Sequence, residues 1–305
     1  MSLSRNIKFI GHQIYHVAGP QIDNLPKIDN IIFKTDKADL KWIEESTFKI
    51  GEWRDTMRST YIRWAIAING LYVAGDKYKD ESWKSKNQFL VSAYRLENGN
   101  NPIKATIAAW DGDTASKAHL DSTNMIASYG IIDLYACFEE LVFDFYRTYL
   151  THVPGKFMIG PDNRAIRKIY NNRATDLDSW NNAWKERLDN WQRKKIYDGL
   201  DQVFLSFIAL SGLEKPKSYI HTNPGTWAET IREIAILRNC LTHGETKIPK
   251  DLADLSKKPH GLGFNFNAGD EISLTIHHLM SIELFADQFL TALNLSLFEK
   301  GEKKI

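Results

Sequence analysis

Residues 125–150 read MIASYGIIDLYACFEELVFDFYRTYL. Ile131, Leu134, Tyr135, Phe138, Leu141, Val142 and Phe145 recur there at the spacing of one face of an α-helix. Thr114 or Ser116 is the expected N-cap, and the acidic Asp121 sits early, where a helix favours negative charge. His152-Val153-Pro154-Gly155 stops the run. A long amphipathic helix therefore organises the fold, and its apolar face needs partners.

The partners follow on the C-terminal side. Trp180, Trp184 and Trp191 stand at spacings that suit a helix, and a further helix is expected from Ile196 to Leu213. Pro224-Gly225-Thr226 opens a helix from Trp227 to about His243, and Gly244 sits where a C-cap glycine belongs. Residues 250–270 read as a polar loop. Glu271 to Phe298 reads as a long amphipathic helix through Ile276, Leu279, Ile282, Phe285, Phe289 and Leu293.

On the N-terminal side, Leu40, Ile43 and Phe48 suit one helix. Met57, Tyr61, Trp64 and Ile68 suit a second, ending near Gly70 or Gly75. Trp83, Phe89, Leu90, Ala93 and Leu96 suit a third, stopped by Asn98-Gly99-Asn100. The apolar runs IKFI and NIIFK in residues 1–35 read as short strands or extended coil wrapped on the body. The expectation is an all-α helical bundle with a short mixed N-terminal segment, 1–35, and an N-terminal helical region, 36–112. The main helical domain spans 113–300, with an insertion around 155–225.

Lys and Arg total 39, Asp and Glu 38, giving a net charge of +1. A strongly basic coat is excluded, so any nucleic acid must meet locally concentrated charge. The two cysteines, Cys137 and Cys240, are too few for a disulfide framework and fit a reducing compartment. No zinc-ligand spacing stands out, and the His12/His16 pair lies in an irregular segment, so no metal and no cofactor are expected. The opening MSLSRNIKFIGHQ has no apolar leader core. The longest mostly apolar run, Trp64 to Gly75, falls short of the roughly 20 residues of a membrane span. The expected setting is cytoplasmic, away from membranes.

The chemistry concentrates in Ile231-Arg-Glu-Ile-Ala-Ile-Leu-Arg238-Asn239-Cys-Leu-Thr-His243-Gly244. On a helix, Trp227, Ile231, Ile234, Arg238 and Leu241 share a stripe, so Arg238 interrupts an apolar face. A buried guanidinium needs a carboxylate, carbonyl oxygens or a phosphate. Asn239 and His243, four apart, stack on a neighbouring face. An arginine, an amide and an imidazole at one accessible helix tip suit phosphodiester chemistry. The bland alternative pairs Arg238 with Asp133, Glu139 or Glu140 and leaves His243 complementing the helix C-terminus.

This segment resembles the catalytic motif of the HEPN superfamily, in which Arg and a following polar residue precede a His by a short spacer. Arg238-Asn239-x-x-x-His243 fits it. Gly130 to Glu140 is similar to the long early helix of such proteins, with its aromatic-Glu step at Phe138-Glu139, and Gly269 to Thr275 is similar to the lead into their last helix. The likeness covers roughly residues 115–298. It implies an endoribonuclease that needs no metal and works by 2′-OH transesterification. Arg238, Asn239 and His243 would be catalytic, with Asp133, Glu139 and Glu140 in support. It further implies a homodimer with a shared cleft, a toxin, stress or phage-defence role, and an antitoxin or defence partner. Arg164, Arg167, Lys168, Arg193 and Lys194 are candidates for tracking an RNA backbone, though such charges are commonly a solvated face. The tryptophan row is more simply core than a base-stacking platform. Arg147 to His152 also fits the loose spacing but ends a different helix, and Thr148 follows the Arg, so it reads as a decoy. Two other classes stay open: a catalytically silent HEPN module used for dimerisation or partner binding, and a helical protein that binds RNA or nucleotide without cutting it.

Overall fold

The computed structural model describes residues 30–303. Among them are nine α-helices and one two-stranded antiparallel sheet. The helices are α1 (Lys41–Lys79), α2 (Glu81–Lys84), α3 (Gly112–His152), α4 (Arg164–Asn171) and α5 (Leu177–Lys195), then α6 (Leu200–Ser211), α7 (Pro224–His243), α8 (Lys250–Ser256) and α9 (Ile276–Glu302). The strands are β1 (Phe89–Glu97) and β2 (Asn101–Trp110). The expected helical character holds. His12, His16 and the IKFI run lie outside the described residues.

Helix α3 is the axis that the 125–150 stretch predicts. Its cap lies earlier than expected: Asp111 accepts a hydrogen bond from the Thr114 N–H at 2.7 Å, so neither Thr114 nor Ser116 is the N-cap. Phe138, Phe143 and Phe145 on α3 are fully buried in one core with Phe204 and Phe207 of α6. Helices α1 and α9 pack along α3. At Gly130 the three long helices pack tightly, since a Cβ there would sit 3.1 Å from the Trp64 ring of α1 and 2.5 Å from Leu279 of α9.

Three local expectations need correction. The two helices expected over residues 40–68 are one, because Gly70 and Gly75 end nothing. A Cβ at Gly75 would lie 3.1 Å from Leu120, so this glycine admits a close approach of α1 to α3. The third expected helix is instead half of a hairpin. Asn98 and Gly99 both take positive φ, 51° and 81°, in the turn between β1 and β2. Phe89 stacks on Trp110 at 5.8 Å and packs against Tyr78, which anchors the base of the ribbon. Third, the helix expected from Ile196 starts at Leu200 after Gly199 at φ 84°, and the polar loop of 250–270 contains α8. Helix α9 likewise begins at Ile276, not Glu271, because Glu271 pairs with Lys247 in extended conformation.

The NIIFK run wraps on the body in extended form. Asn294 of α9 accepts from the Ile31 N–H and donates to the Ile31 carbonyl, both at 2.9 Å. Phe33 is buried beside Phe298. No helix among the described residues is long and apolar enough to cross a membrane.

Candidate functional site

Helix α7 is fixed at both ends. At its start the Asn223 side chain accepts from the Gly225 and Thr226 N–H groups, and the Thr226 hydroxyl accepts from the Asn223 N–H, forming a capping box with Pro224 in the first turn. At its end Gly244 takes the left-handed conformation at φ 73°, and the Glu245 N–H donates to the Cys240 carbonyl at 2.9 Å. Residues 246–248 then pair with 269–272, which holds the exit from the helix. Trp227, Ile231, Ile234 and Leu237 bury one face, and Trp227 meets Phe289 of α9 edge-on at 6.2 Å.

That frame presents the three motif residues on the last two turns. The cover thins along the helix: Leu237 is buried, Arg238 and Leu241 are half-buried, and Asn239 and His243 are exposed. Arg238 does occupy the apolar stripe, but it is not the buried guanidinium that the stripe suggests. Its long side chain reaches the surface from a half-buried stem. The guanidinium lies over the Tyr135 ring at 5.4 Å, and Nη1 donates to Asn239 Oδ1 at 3.0 Å. No carboxylate among the described residues forms an ion pair with it within 4 Å. His243 makes no hydrogen bond among the described residues, so its imidazole is free to meet a ligand.

The three supporting carboxylates divide. Asp133 is buried and accepts from Trp64 Nε1 at 2.9 Å, which commits it to α1. Glu139 is half-buried one turn from Tyr135. Burial pushes the Tyr135 hydroxyl far above the usual phenol range, the Glu139 charge adds to this, Arg238 opposes it, and Asp201 of α6 adds again. Arg238, Tyr135, Glu139 and Asp201 thus share one electrostatic neighbourhood. Glu140 is half-buried on α3 and has no part in the shift of Tyr135. Sequence reasoning missed Asp201, because its helix is brought alongside only by the bundle.

A second missed residue is Glu233, 1% exposed on α7. One carboxylate oxygen accepts from the Leu262 N–H at 3.2 Å, and the other has no partner among the described residues. Burial pushes its carboxyl up to about 7, and the Leu262 bond works against that. The distant Gly261-Leu262 step lies against it, so no local pattern could reveal it. Cys240 is buried, and burial pushes its thiol up to about 11.

The remaining candidates lie elsewhere. Arg147 Nη1 donates to Asp189 and Gln192 of α5, both at 2.8 Å, and His152 Nε2 lies 2.7 Å from Glu45 of α1. Trp180, Trp184 and Trp191 are buried; Trp180 stacks on Trp184 at 5.0 Å and Trp191 meets Tyr146 at 4.7 Å. They are core and offer no platform. Arg167 is tied to the Met158 and Gly160 carbonyls, while Arg164 and Lys168 on α4 and Arg193 and Lys194 at the end of α5 are exposed. His277 is exposed, but His278 is half-buried, because it closes the capping box of α9 with Thr275 and stacks on Phe266. Among the described residues no group of three His, Cys, Asp or Glu could hold a metal ion. No protein-family model, curated protein or solved structure matches this chain.

Proposed function

We propose that the chain is a HEPN-type endoribonuclease that cuts RNA by 2′-OH transesterification. The observation that carries the reading is the tip of α7, where Arg238 and His243 have no carboxylate partner among the described residues and Asn239 stands between them in sequence. Imidazole is the side chain that gains and loses a proton near neutrality. His243 takes the proton from a ribose 2′-OH or gives one to the 5′-oxygen that leaves. The 2′-oxygen attacks the adjacent phosphorus, and Arg238 stabilises the charge growing on the phosphoryl oxygens. Asn239 orients the guanidinium through the bond it already makes. The products are a 2′,3′-cyclic phosphate and a 5′-hydroxyl. DNA, lacking the 2′-OH, is refused.

Among the described residues, none hydrogen-bonds to His243 to orient it. That favours a two-fold homodimer in which two α7 tips line one cleft and each chain restrains the other's imidazole. A toxin or defence role, with a neutralising partner, follows from the same reading. The same free imidazole also favours a second reading, in which the tip holds RNA phosphate without cutting. Incubation of purified protein with RNA in excess EDTA separates them. Cleavage that leaves cyclic phosphate ends, and that His243→Ala abolishes, supports the nuclease. Retention of RNA without cleavage supports the second reading.

A further inference from the structure

A cavity of about 270 Å³ opens beside the first two turns of α7, about three turns from Arg238. Its apolar walls include Trp227, Tyr219 and Phe289, and the Tyr219 and Phe289 rings stand almost perpendicular to Trp227, at 89° and 82°. Thr222, Ser281 and Gln288 supply polar atoms to the same space, and none of these three side chains has a hydrogen-bond partner among the described residues. Among the described residues no lysine, arginine or carboxylate lines it. The imidazole in the wall, His260, is already engaged, with Nε2 at 2.5 Å from Glu229 Oε2.

We propose that this cavity binds an uncharged planar heterocycle of the nucleobase class. The volume lies just below the usual range for drug-sized ligands, which begins at roughly 300 Å³, so the occupant is small. Aromatic walls accept the flat face of any base. A lone side-chain amide with two hydroxyls can meet both donors and acceptors on the edge of a ring. A saturated apolar ligand would leave those polar groups unmatched, and a phosphate or ammonium group would find no counter-charge. The wall has been built to stay in place: Glu229 accepts from Lys258 Nζ at 2.6 Å as well as pairing with His260, and the Thr230 hydroxyl donates to the His260 carbonyl at 3.1 Å. A preformed wall lowers the ordering cost of binding. The occupant comes either as a free nucleoside or as an unstacked base in a single strand, and the inference stands whether or not the α7 tip cuts RNA.

The test is calorimetric titration of the full chain with adenosine, guanosine, cytidine and uridine separately, each to about 1 mM, and with single-stranded pentanucleotides of each base. The strands are titrated into His243→Ala protein, so that none is cut. At least one nucleoside or strand should bind. Gln288→Ala, at an exposed helix position, should weaken that binding about fivefold through loss of a neutral hydrogen bond. Ser281→Leu, which fills the cavity from a half-exposed helix position, should abolish it. Equal affinity for nucleoside and strand identifies a free ligand, and a strand at least tenfold tighter identifies a base in RNA; both uphold the cavity. Absence of binding by all eight probes overturns the proposal. So does a folded Ser281→Leu protein that binds as wild type.

Discussion

Arg147 and His152 end α3, Arg238 and His243 end α7, and in both pairs the histidine follows five positions after the arginine. Their surroundings differ. The end of α3 runs between α1 and α5, which supply Glu45, Asp189 and Gln192, so each charge there has an answer within 2.8 Å. The end of α7 emerges from the bundle as its cover thins. Among the described residues its arginine meets a neighbouring amide and an aromatic face, and its histidine makes no hydrogen bond. Spacing alone therefore does not make a site. What decides is whether neighbouring elements have already consumed the charges.

The sharpest way to break this comparison is to remove each histidine. His243→Ala should lower RNA cleavage by at least about 100-fold, the scale of a lost general acid or base, with the melting temperature unchanged. His152→Ala should leave the cleavage rate within about twofold of wild type. Equal losses from both would mean that the satisfied pair also takes part. Arg238→Ala should match His243→Ala in rate, measured on the same RNA, because it removes charge stabilisation from the transition state.

Next in size is the third kind of charge, the buried and half-answered Glu233. Its carboxyl is raised to about 7, above an unfolded value of about 4.3. The unfolded chain loses this proton first, so stability from the neutral form is full below pH 4.3 and declines as pH rises towards 7. Glu233→Gln keeps the neutral shape and should raise stability by roughly 3–4 kcal/mol at pH 8, with little change at pH 4. Denaturant melts at the two pH values check this, and an equal effect at both would overturn it.

The smallest effect concerns the satisfied pair. Arg147→Ala should cost about 1 kcal/mol, as befits a half-exposed ion pair with one further hydrogen bond. The corresponding Arg238→Ala should cost less, since that side chain pairs with no carboxylate. Chemical denaturation of both variants ranks them; a larger loss at Arg238 would restore the bland structural role for that residue.

Much of this arrangement was legible in the sequence, and the failures have physical causes. Helices α3, α5 and α7 announce themselves because each carries an apolar face long enough to set the period, and Gly244 marks the end of α7 by the one backbone conformation it supplies cheaply. The hairpin was misread because Phe89, Leu90, Ala93 and Leu96 satisfy a helical spacing by coincidence. The Asn98-Gly99 turn and the β-branched Val91, Ile103, Thr106 and Ile107 carry the true signal. Gly75 looked like a stop because a sequence cannot show that Leu120 needs the room. At the site, the motif residues were read from one helix alone. Asp201 and the cover over Glu233 come from elements brought in by the bundle, which no local window contains.

The clasp between Ile31 and Asn294 also bears on synthesis. The two residues are 263 positions apart. At roughly 5–20 residues per second, a ribosome takes about 13–53 s to travel from one to the other. Throughout that interval Ile31 and Phe33 lack the helix that receives them. Phe33 can meet Thr47 of α1 early, but the clasp itself cannot close until Asn294 has been made.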